Sequence, residues 1–152
     1  MRRLLMALML LCTLPLMADE LPDYQLEGAG TGSQGTYLVR VSVLSKKSKV
    51  PDDEIGRCAV HGVLFRGFAS KENRQQQKPL AGGPMVEMQH KDFFEDFFTS
   101  TYKGYYQMVG GSRQVVKAGK QYKVSCVVTV AKDQLRKDLQ QADIIKGLNT
   151  GF

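Results

Sequence analysis

The side chains that could carry out acid–base or metal chemistry are two histidines and one run of acids. His61 lies within a predicted helix and His90 just before a short one, and neither stands in a set typical of a metal site. Asp52, Asp53 and Glu54 could act as paired carboxylates. Acids in the first turn of a helix are better explained by its dipole. We therefore predict no catalytic group and no bound metal.

Nucleophile and phosphate motifs are weak in this chain. Serines are plentiful, but none lies in a GxSxG sequence. The glycine-rich run at 28–32 precedes a predicted strand, whereas a phosphate-binding loop follows a strand and opens a helix. We predict no cofactor.

Two cysteines, Cys58 and Cys126, follow the predicted leader. In an oxidising compartment two thiols favour a disulfide. Cys58 lies on a predicted helix and Cys126 on the apolar face of a predicted strand, and helix-on-sheet packing keeps Cα atoms too far apart for a bridge. We expect free, buried thiols, and the absence of a CxxC motif argues against redox catalysis.

Aromatic residues are concentrated between residues 93 and 106. Four phenylalanines on one short helix exceed what a single buried stripe needs. This helix could cap the open end of the core. Alternatively, one pair of its phenylalanines could lie at the rim beside the following tyrosines and contact a protein partner. The candidate partner-binding residues are Phe94, Phe98, Tyr102 and Tyr105.

The C-terminal stretch contains the clearest local patterns. Residues from Tyr122 to Val130 alternate between apolar and polar, which predicts a strand with one buried face. An amphipathic helix follows, with Leu135, Leu139 and Ala142 on one stripe and Gly147 as its predicted stop. Leu148 and Phe152 are apolar, so we expect the end of the chain to fold back on the core.

The upstream chain supplies the partners of that strand. Gly56 and Gly62 interrupt one predicted helix and indicate close packing against the sheet, and Gly67 can end it. Gly110 and Gly111 predict a bend in another strand. The predicted elements are a strand at 36–44, a helix at 51–65, a long exposed loop at 69–84, a short helix at 91–101 and a strand at 104–116.

These elements predict an α+β fold. We expect a two-layer sandwich in which a small three-stranded mixed sheet carries helices on one face, a ferredoxin-like variant. The last strand should lie between the other two, antiparallel to both. The expected organisation is a signal peptide at 1–18, a flexible tail at 19–35 and a single domain at 36–152.

The first residues predict export. Arg2 and Arg3 precede an apolar run, and Ala18 is the expected last residue removed. Cys12 interrupts that run without the small residues that precede a lipidated cysteine, so we predict ordinary secretion. We expect the periplasm or the cell surface of a Gram-negative bacterium, with no integral membrane segment in the mature chain.

The formal net charge is +6, and several acids precede Thr36, so the predicted domain is more basic than the whole chain. Such a balance favours an anionic partner such as nucleic acid or lipid headgroups. The alternative is an ordinary solvated surface, which we favour. The charges are spread along the sequence, and an exported protein rarely meets nucleic acid, so we predict no nucleic-acid partner.

Several segments resemble a known group of proteins. AVHGVLFRGF at 59–68, KPL at 78–80, DFFEDFF at 92–98 and the segment 128–152 are similar to small exported proteins of Bacteroidales-type bacteria with no assigned activity. The resemblance implies cell-envelope assembly, by association with the curli-secretion lipoproteins. It carries no catalytic residues, and the lipidated cysteine of the secretion lipoprotein is missing here.

Two functions from different classes follow. The first is an exported, non-catalytic binding module in cell-envelope assembly or secretion, with an envelope protein as its partner. The second is a small periplasmic hydrolase of unrecognised type. A titratable cluster in a deep pocket would favour the hydrolase, and an exposed apolar surface would favour the binding module. The sequence leaves the oligomeric state open.

Overall fold

The computed structural model describes residues 20–71 and 74–147. The predicted leader at 1–18 and the predicted fold-back of Leu148 and Phe152 lie outside the described residues. The described elements are β1 (Tyr24–Gly28), β2 (Tyr37–Ser45), α1 (Asp52–Phe65), β3 (Phe68–Ser70), β4 (Gln76–Gln77), α2 (Pro84–Gln89), α3 (Lys91–Phe97), a 3-10 helix (Thr101–Tyr105), β5 (Tyr106–Met108), β6 (Gln114–Ala118), β7 (Gln121–Val130) and α4 (Lys132–Gln141).

The centre of the sheet is the pair β2 and β7. They run antiparallel, from Tyr37 opposite Val130 to Ser45 opposite Tyr122. Because side chains alternate between the faces of a strand, one face collects β-branched residues that pack well on a pleated surface. These residues form the floor of the core and are fully buried: Val39, Val41, Val43, Val124, Val128 and Val130.

Helix α1 covers that face. Nine of its fourteen residues are buried. Gly56 and Gly62 allow the close packing that the sequence predicts: a Cβ at Gly56 would lie 2.2 Å from the Tyr106 ring, and one at Gly62 would lie 2.8 Å from Leu26. Gly67 ends the helix with a φ of +69°, a left-handed conformation that favours glycine.

The expected three-stranded, ferredoxin-like sheet is wrong. The described chain forms one mixed sheet of seven strands, in the order β4-β3-β1-β2-β7-β5, with β6 also paired to β7. The broader α+β class is confirmed, and the last long strand does lie between the other two predicted strands and antiparallel to them.

The expected flexible tail at 19–35 contains β1. This strand has only Tyr24 and Leu26 as apolar inward positions before Gly28, too few to stand out in the sequence. It forms because its backbone pairs with β2 on one side and with β3 on the other. Pairing with an existing strand satisfies backbone groups whatever the local composition.

Two other segments also differ from expectation. The loop predicted at 69–84 contains β3 in part and β4, which pair as a short antiparallel ribbon at the edge. The strand predicted at 104–116 does bend at its glycines, but the bend separates it into β5 and β6. The two strands pair with successive parts of β7.

Helix α4 is shorter than its pattern predicts. Leu135 and Leu139 are buried as expected, but the helix ends at Gln141, and Ala142 is exposed. Asp143 takes a φ of +56° just beyond it, ahead of the predicted stop at Gly147. Within residues 20–71 and 74–147, no helix has the length and hydropathy needed to cross a bilayer.

Candidate binding surfaces

The predicted contact residues lie mostly inside the core. Phe94, Phe98 and Tyr102 are buried and Tyr105 is half-buried, so they do not form an exposed patch. The ring of Phe65, from α1, reaches between them: its centroid lies 4.9 Å from that of Phe94 and 6.4 Å from that of Phe98. The expectation that these residues form an exposed rim is wrong.

The other phenylalanine pair of α3 is also packed. Phe97 is buried, and its ring lies 5.5 Å from that of Tyr105. Phe93 is half-buried, with its ring stacked 6.2 Å from that of Phe97. Both pairs find partners because the 3-10 helix returns the chain across α3 and closes this end of the core. The Tyr105 hydroxyl donates a 2.5 Å hydrogen bond to the Asp138 carboxylate, which fastens α4 to the same cluster.

A hydroxyl, an imidazole and a carboxylate form a hydrogen-bonded line at His61; Tyr24 is buried, His61 is half-buried and the Glu87 side chain is 37% exposed. The Tyr24 hydroxyl is 2.7 Å from Nδ1 of His61, and Nε2 is 3.2 Å from Oε2 of Glu87. For a neutral imidazole, Nε2–H donates to the carboxylate and Nδ1 accepts from the hydroxyl. This arrangement joins β1, α1 and α2. The sequence offered no sign of it, because its three members come from separate elements.

The environment of this line opposes nucleophilic chemistry. Burial raises the pKa of the Tyr24 hydroxyl far above its usual value of 10.0, so the phenolate is not accessible near neutral pH. Burial also lowers the pKa of His61 below 6.5, while the Glu87 carboxylate opposes that shift. Phe65 and Phe98 pack against the imidazole. We therefore interpret these groups as hydrogen bonds that hold β1, α1 and α2 together.

The cysteines are free and buried, as predicted. Burial raises the pKa of the Cys58 thiol to about 12 and raises that of Cys126 as well. A thiol whose pKa is raised carries little of the nucleophilic thiolate. Among the residues that the structure describes, no group of three His, Cys, Asp or Glu side chains could hold a metal ion.

The glycine-rich run at 28–32 belongs to the hairpin that joins β1 to β2, so it does not open a helix. A depression of about 330 Å³ lies between this hairpin, the β3–β4 ribbon and Lys132. The Lys132 ammonium lies 3.0 Å from an Asp133 oxygen and 5.3 Å from the Tyr37 ring centroid. Because the charge of Lys132 already interacts with Asp133 and Tyr37, we do not favour this depression as an anion-binding site.

The most exposed large apolar side chains of the described chain are Met85 and Met88. They are 64% and 73% exposed and lie three residues apart, hence on one face of α2. No residue of α2 is buried. A depression of about 320 Å³ adjoins Met88 and runs along residues 88–93. We call Met85, Met88 and this depression the methionine surface.

Helix α2 is held with its methionines outward. Gly83, with a φ of +113°, and Pro84 set its start. On the inner side Val86 packs against the core, and Glu87 pairs with His61 at 3.2 Å. The helix is thus held by one apolar and one polar contact on its inner side, while both methionines remain exposed.

Comparisons of the chain with protein-family models, with curated proteins and with solved structures return no match.

The sequence analysis missed the methionine surface. One available signal was the spacing of Met85 and Met88 directly after Gly-Gly-Pro, which marks a short helix with two apolar side chains on one face. The spacing does not show that the two methionines face outward. That direction depends on His61 of α1, which pairs with Glu87 on the inner side of α2.

Proposed function

We propose that this protein is an exported, non-catalytic binding module of cell-envelope assembly that contacts a protein partner through the methionine surface. The observation that carries the proposal is the exposure of Met85 and Met88 on a helix that buries none of its residues. The export signal and the resemblance to envelope proteins support the compartment.

The energetics of α2 favour a partner. A solvent-exposed apolar side chain does not gain the free energy that burial would provide, which is about 1.5–3 kcal/mol for a fully buried methionine side chain. Single exposed apolar residues are common on protein surfaces. Here two occupy one helical face next to a depression and the half-buried Phe93. Methionine is also adaptable and frequent at surfaces that bind other proteins.

The surroundings of the methionine surface indicate the character of the partner. Asp92, Glu95 and Asp96 are exposed on the adjoining helix α3, and of these Glu95 pairs with Lys91 at 3.4 Å. Lys91 and Asp92 both line the depression beside Met88, so the border of the apolar face carries charges of both signs. A partner with an apolar contact and charged side chains around it complements this surface.

The Tyr24–His61–Glu87 line is the one feature that favours a hydrolase. The His61 side chain is only 13% exposed. Neither His61 nor Glu87 lines the depressions at the β1–β2 hairpin, along residues 88–93 or on the open face of the sheet, although Tyr24 borders one of the last. A general base must reach a substrate proton within hydrogen-bond distance. We therefore favour the binding module.

The test replaces both methionines by glutamine, which keeps length and helix propensity but makes the face polar. Exposed substitutions change stability by about 0.5 kcal/mol or less, so the M85Q/M88Q protein should unfold like the wild type. Loss of a central apolar contact should weaken capture of the envelope partner by at least about tenfold, or ~1.4 kcal/mol. The measurement is quantitative pull-down from envelope extracts.

A Val115→Gln variant is the control. That valine is also an exposed apolar side chain, but it lies on β6. Capture that survives in the control and is lost in M85Q/M88Q supports the proposal. Equal capture by M85Q/M88Q and wild type would reject it.

A further inference from the structure

One end of the sheet collects lysines from distant parts of the sequence. Ser45 at the end of β2 lies opposite Tyr122 near the start of β7, and Tyr122 also lies opposite Lys117 near the end of β6. The turns that leave these three strands therefore meet. Six lysines lie in these turns or at the strand ends beside them, and we call them the lysine end: Lys46, Lys47, Lys49, Lys117, Lys120 and Lys123.

The segment from Lys46 to Lys49 begins at this end of the sheet. It leaves β2 at Ser45, which lies opposite Tyr122, so its first lysines start beside the β6–β7 hairpin. It then reaches Val50, whose carbonyl oxygen accepts a 3.0 Å hydrogen bond from Nη1 of Arg113, just before β6 and at the end of that strand away from the hairpin.

The positive charge of the lysine end is not neutralised within the described chain. All six lysines are exposed, and in residues 20–71 and 74–147 none has a carboxylate within ion-pair distance. The nearby acids at the start of α1 are already engaged: Asp52 pairs with Arg113, and Asp53 lies 3.3 Å from the Lys103 ammonium. Glu54 and Asp23 are the further acids near this end.

Apolar side chains flank one of these lysines on the open face of the sheet. Lys123 lies between Leu44 on β2 and Val116 on β6, in one row across the three strands. Directly opposed residues project to the same face, so Lys117, opposite Tyr122, projects to the other face at the same end of the sheet. Leu44 is 41% exposed and Val116 is 60% exposed. Exposed aliphatic side chains next to lysines are the composition of surfaces that lie in a membrane interface.

We propose that the lysine end binds the surface of an anionic lipid membrane, with the lysines on the headgroups and the row of Leu44 and Val116 in contact with the acyl boundary. This surface shares no residue with the methionine surface, and the proposal stands independently of the proposed function. The alternative anion is a nucleic acid. The membrane is favoured because the aliphatic row gains nothing against a phosphate backbone. The tyrosines of the described chain nearest to this row, Tyr24 and Tyr122, belong to the core or pack against it, so they are not available for stacking on bases.

The experiment measures co-sedimentation of the full-length protein with vesicles, using phosphatidylglycerol mixed with phosphatidylethanolamine and, separately, phosphatidylcholine alone. Binding is expected on the anionic vesicles only. It should fall as added salt shortens the screening length from about 10 Å at 0.1 M to about 3 Å at 1 M. Each lysine near an anionic surface contributes about a fivefold change in partitioning. The K117Q/K120Q/K123Q variant should therefore bind on the order of 100-fold more weakly.

The control variant K78Q/K137Q/K146Q removes the same charge from exposed lysines elsewhere: after β4, within α4 and beyond α4. It should bind more tightly than K117Q/K120Q/K123Q by well over tenfold. Val116→Asn should weaken vesicle binding several-fold without changing its salt dependence. These variants remove exposed groups, and matching thermal unfolding curves will show that each remains folded.

Three outcomes would overturn the proposal. The first is equal binding to phosphatidylcholine vesicles, and the second is equal loss in the two triple-lysine variants. The third is tighter binding to mixed-sequence duplex DNA than to anionic vesicles, with no effect of Val116→Asn on either, which would assign the lysine end to a nucleic acid instead.

Discussion

At the scale of single residues, His61 is the group whose protonation state matters most to the fold. In its neutral form both ring nitrogens have partners, on Tyr24 and Glu87. Burial lowers its pKa below the ordinary 6.5, and Glu87 opposes that shift. Arg57 and Arg66 also lower the pKa, so the charged groups around the ring are two cations and one anion. The folded protein therefore binds this proton less readily than the unfolded chain does.

We predict a loss of stability on mild acidification that depends on His61. Above pH 6.5 its contribution is constant; as the pH falls through 6.5 the unfolded chain takes up the proton first, and the free energy of unfolding decreases until the folded pKa is passed. His61→Gln keeps a donor and an acceptor but does not titrate, so its unfolding free energy should depend less on pH between about 6.5 and 5. Denaturant unfolding across that range measures the difference.

A second variant makes this prediction sharper. Glu87→Gln removes the carboxylate that raises the pKa of His61, so the folded pKa should fall further and the acid-induced loss should grow. Superimposable pH profiles for wild type, His61→Gln and Glu87→Gln would show that His61 does not control stability in this range.

At the scale of elements, the contact of α1 with β5 determines how near the helix lies to the sheet. Gly56 faces the ring of Tyr106, and the Tyr106 hydroxyl donates a 2.7 Å hydrogen bond to Asp53 one turn earlier in α1. The hydrogen bond lowers the pKa of Asp53 and requires the ring to cross the helix at Gly56. The close contact between α1 and β5 therefore depends on both Gly56 and Tyr106.

We predict that Gly56→Ala destabilises the protein, although alanine is the better helix former by about 1 kcal/mol. Its Cβ would lie 2.2 Å from a Tyr106 ring atom, so the ring or the helix must move. Overpacking of this kind costs about 1–3 kcal/mol, or a few degrees in melting temperature for a chain of this size. Gly104→Ala, which meets nothing within 4 Å, is the control. Equal melting temperatures for the two variants would contradict the prediction.

At the scale of the whole molecule, the two proposed surfaces fit a protein that works at a membrane. The methionine surface belongs to the helical layer, while the lysine end belongs to the turns of the sheet. Binding a lipid surface and a protein partner through separate elements would hold that partner near the membrane. Such a role requires that the chain be exported, which the first residues predict.

The export prediction is tested directly by N-terminal sequencing of protein recovered from the cell envelope. Removal of a signal peptide at Ala18 should leave a chain that begins near Asp19. Recovery of the intact Met1 terminus, or of a lipid on Cys12, would contradict it.

Local periodicity determined the principal elements. The alternation in β2 and β7, the acidic start and small residues of α1, and the burial of Cys58 and Cys126 all follow from patterns within one element. A strand or helix with a strong one-sided pattern has a single way to bury it, so its local sequence suffices.

Tertiary structure decided the rest. Short strands such as β1 form because neighbouring backbones need partners, which no local pattern records. Phe94 and Phe98 are buried because Phe65 comes from another element to meet them. The lysines at 46–49 and 117–123 became one charged end only through the register of β2, β7 and β6. Contacts between distant segments depend on the packing of the whole chain, and both proposed binding surfaces are of this kind.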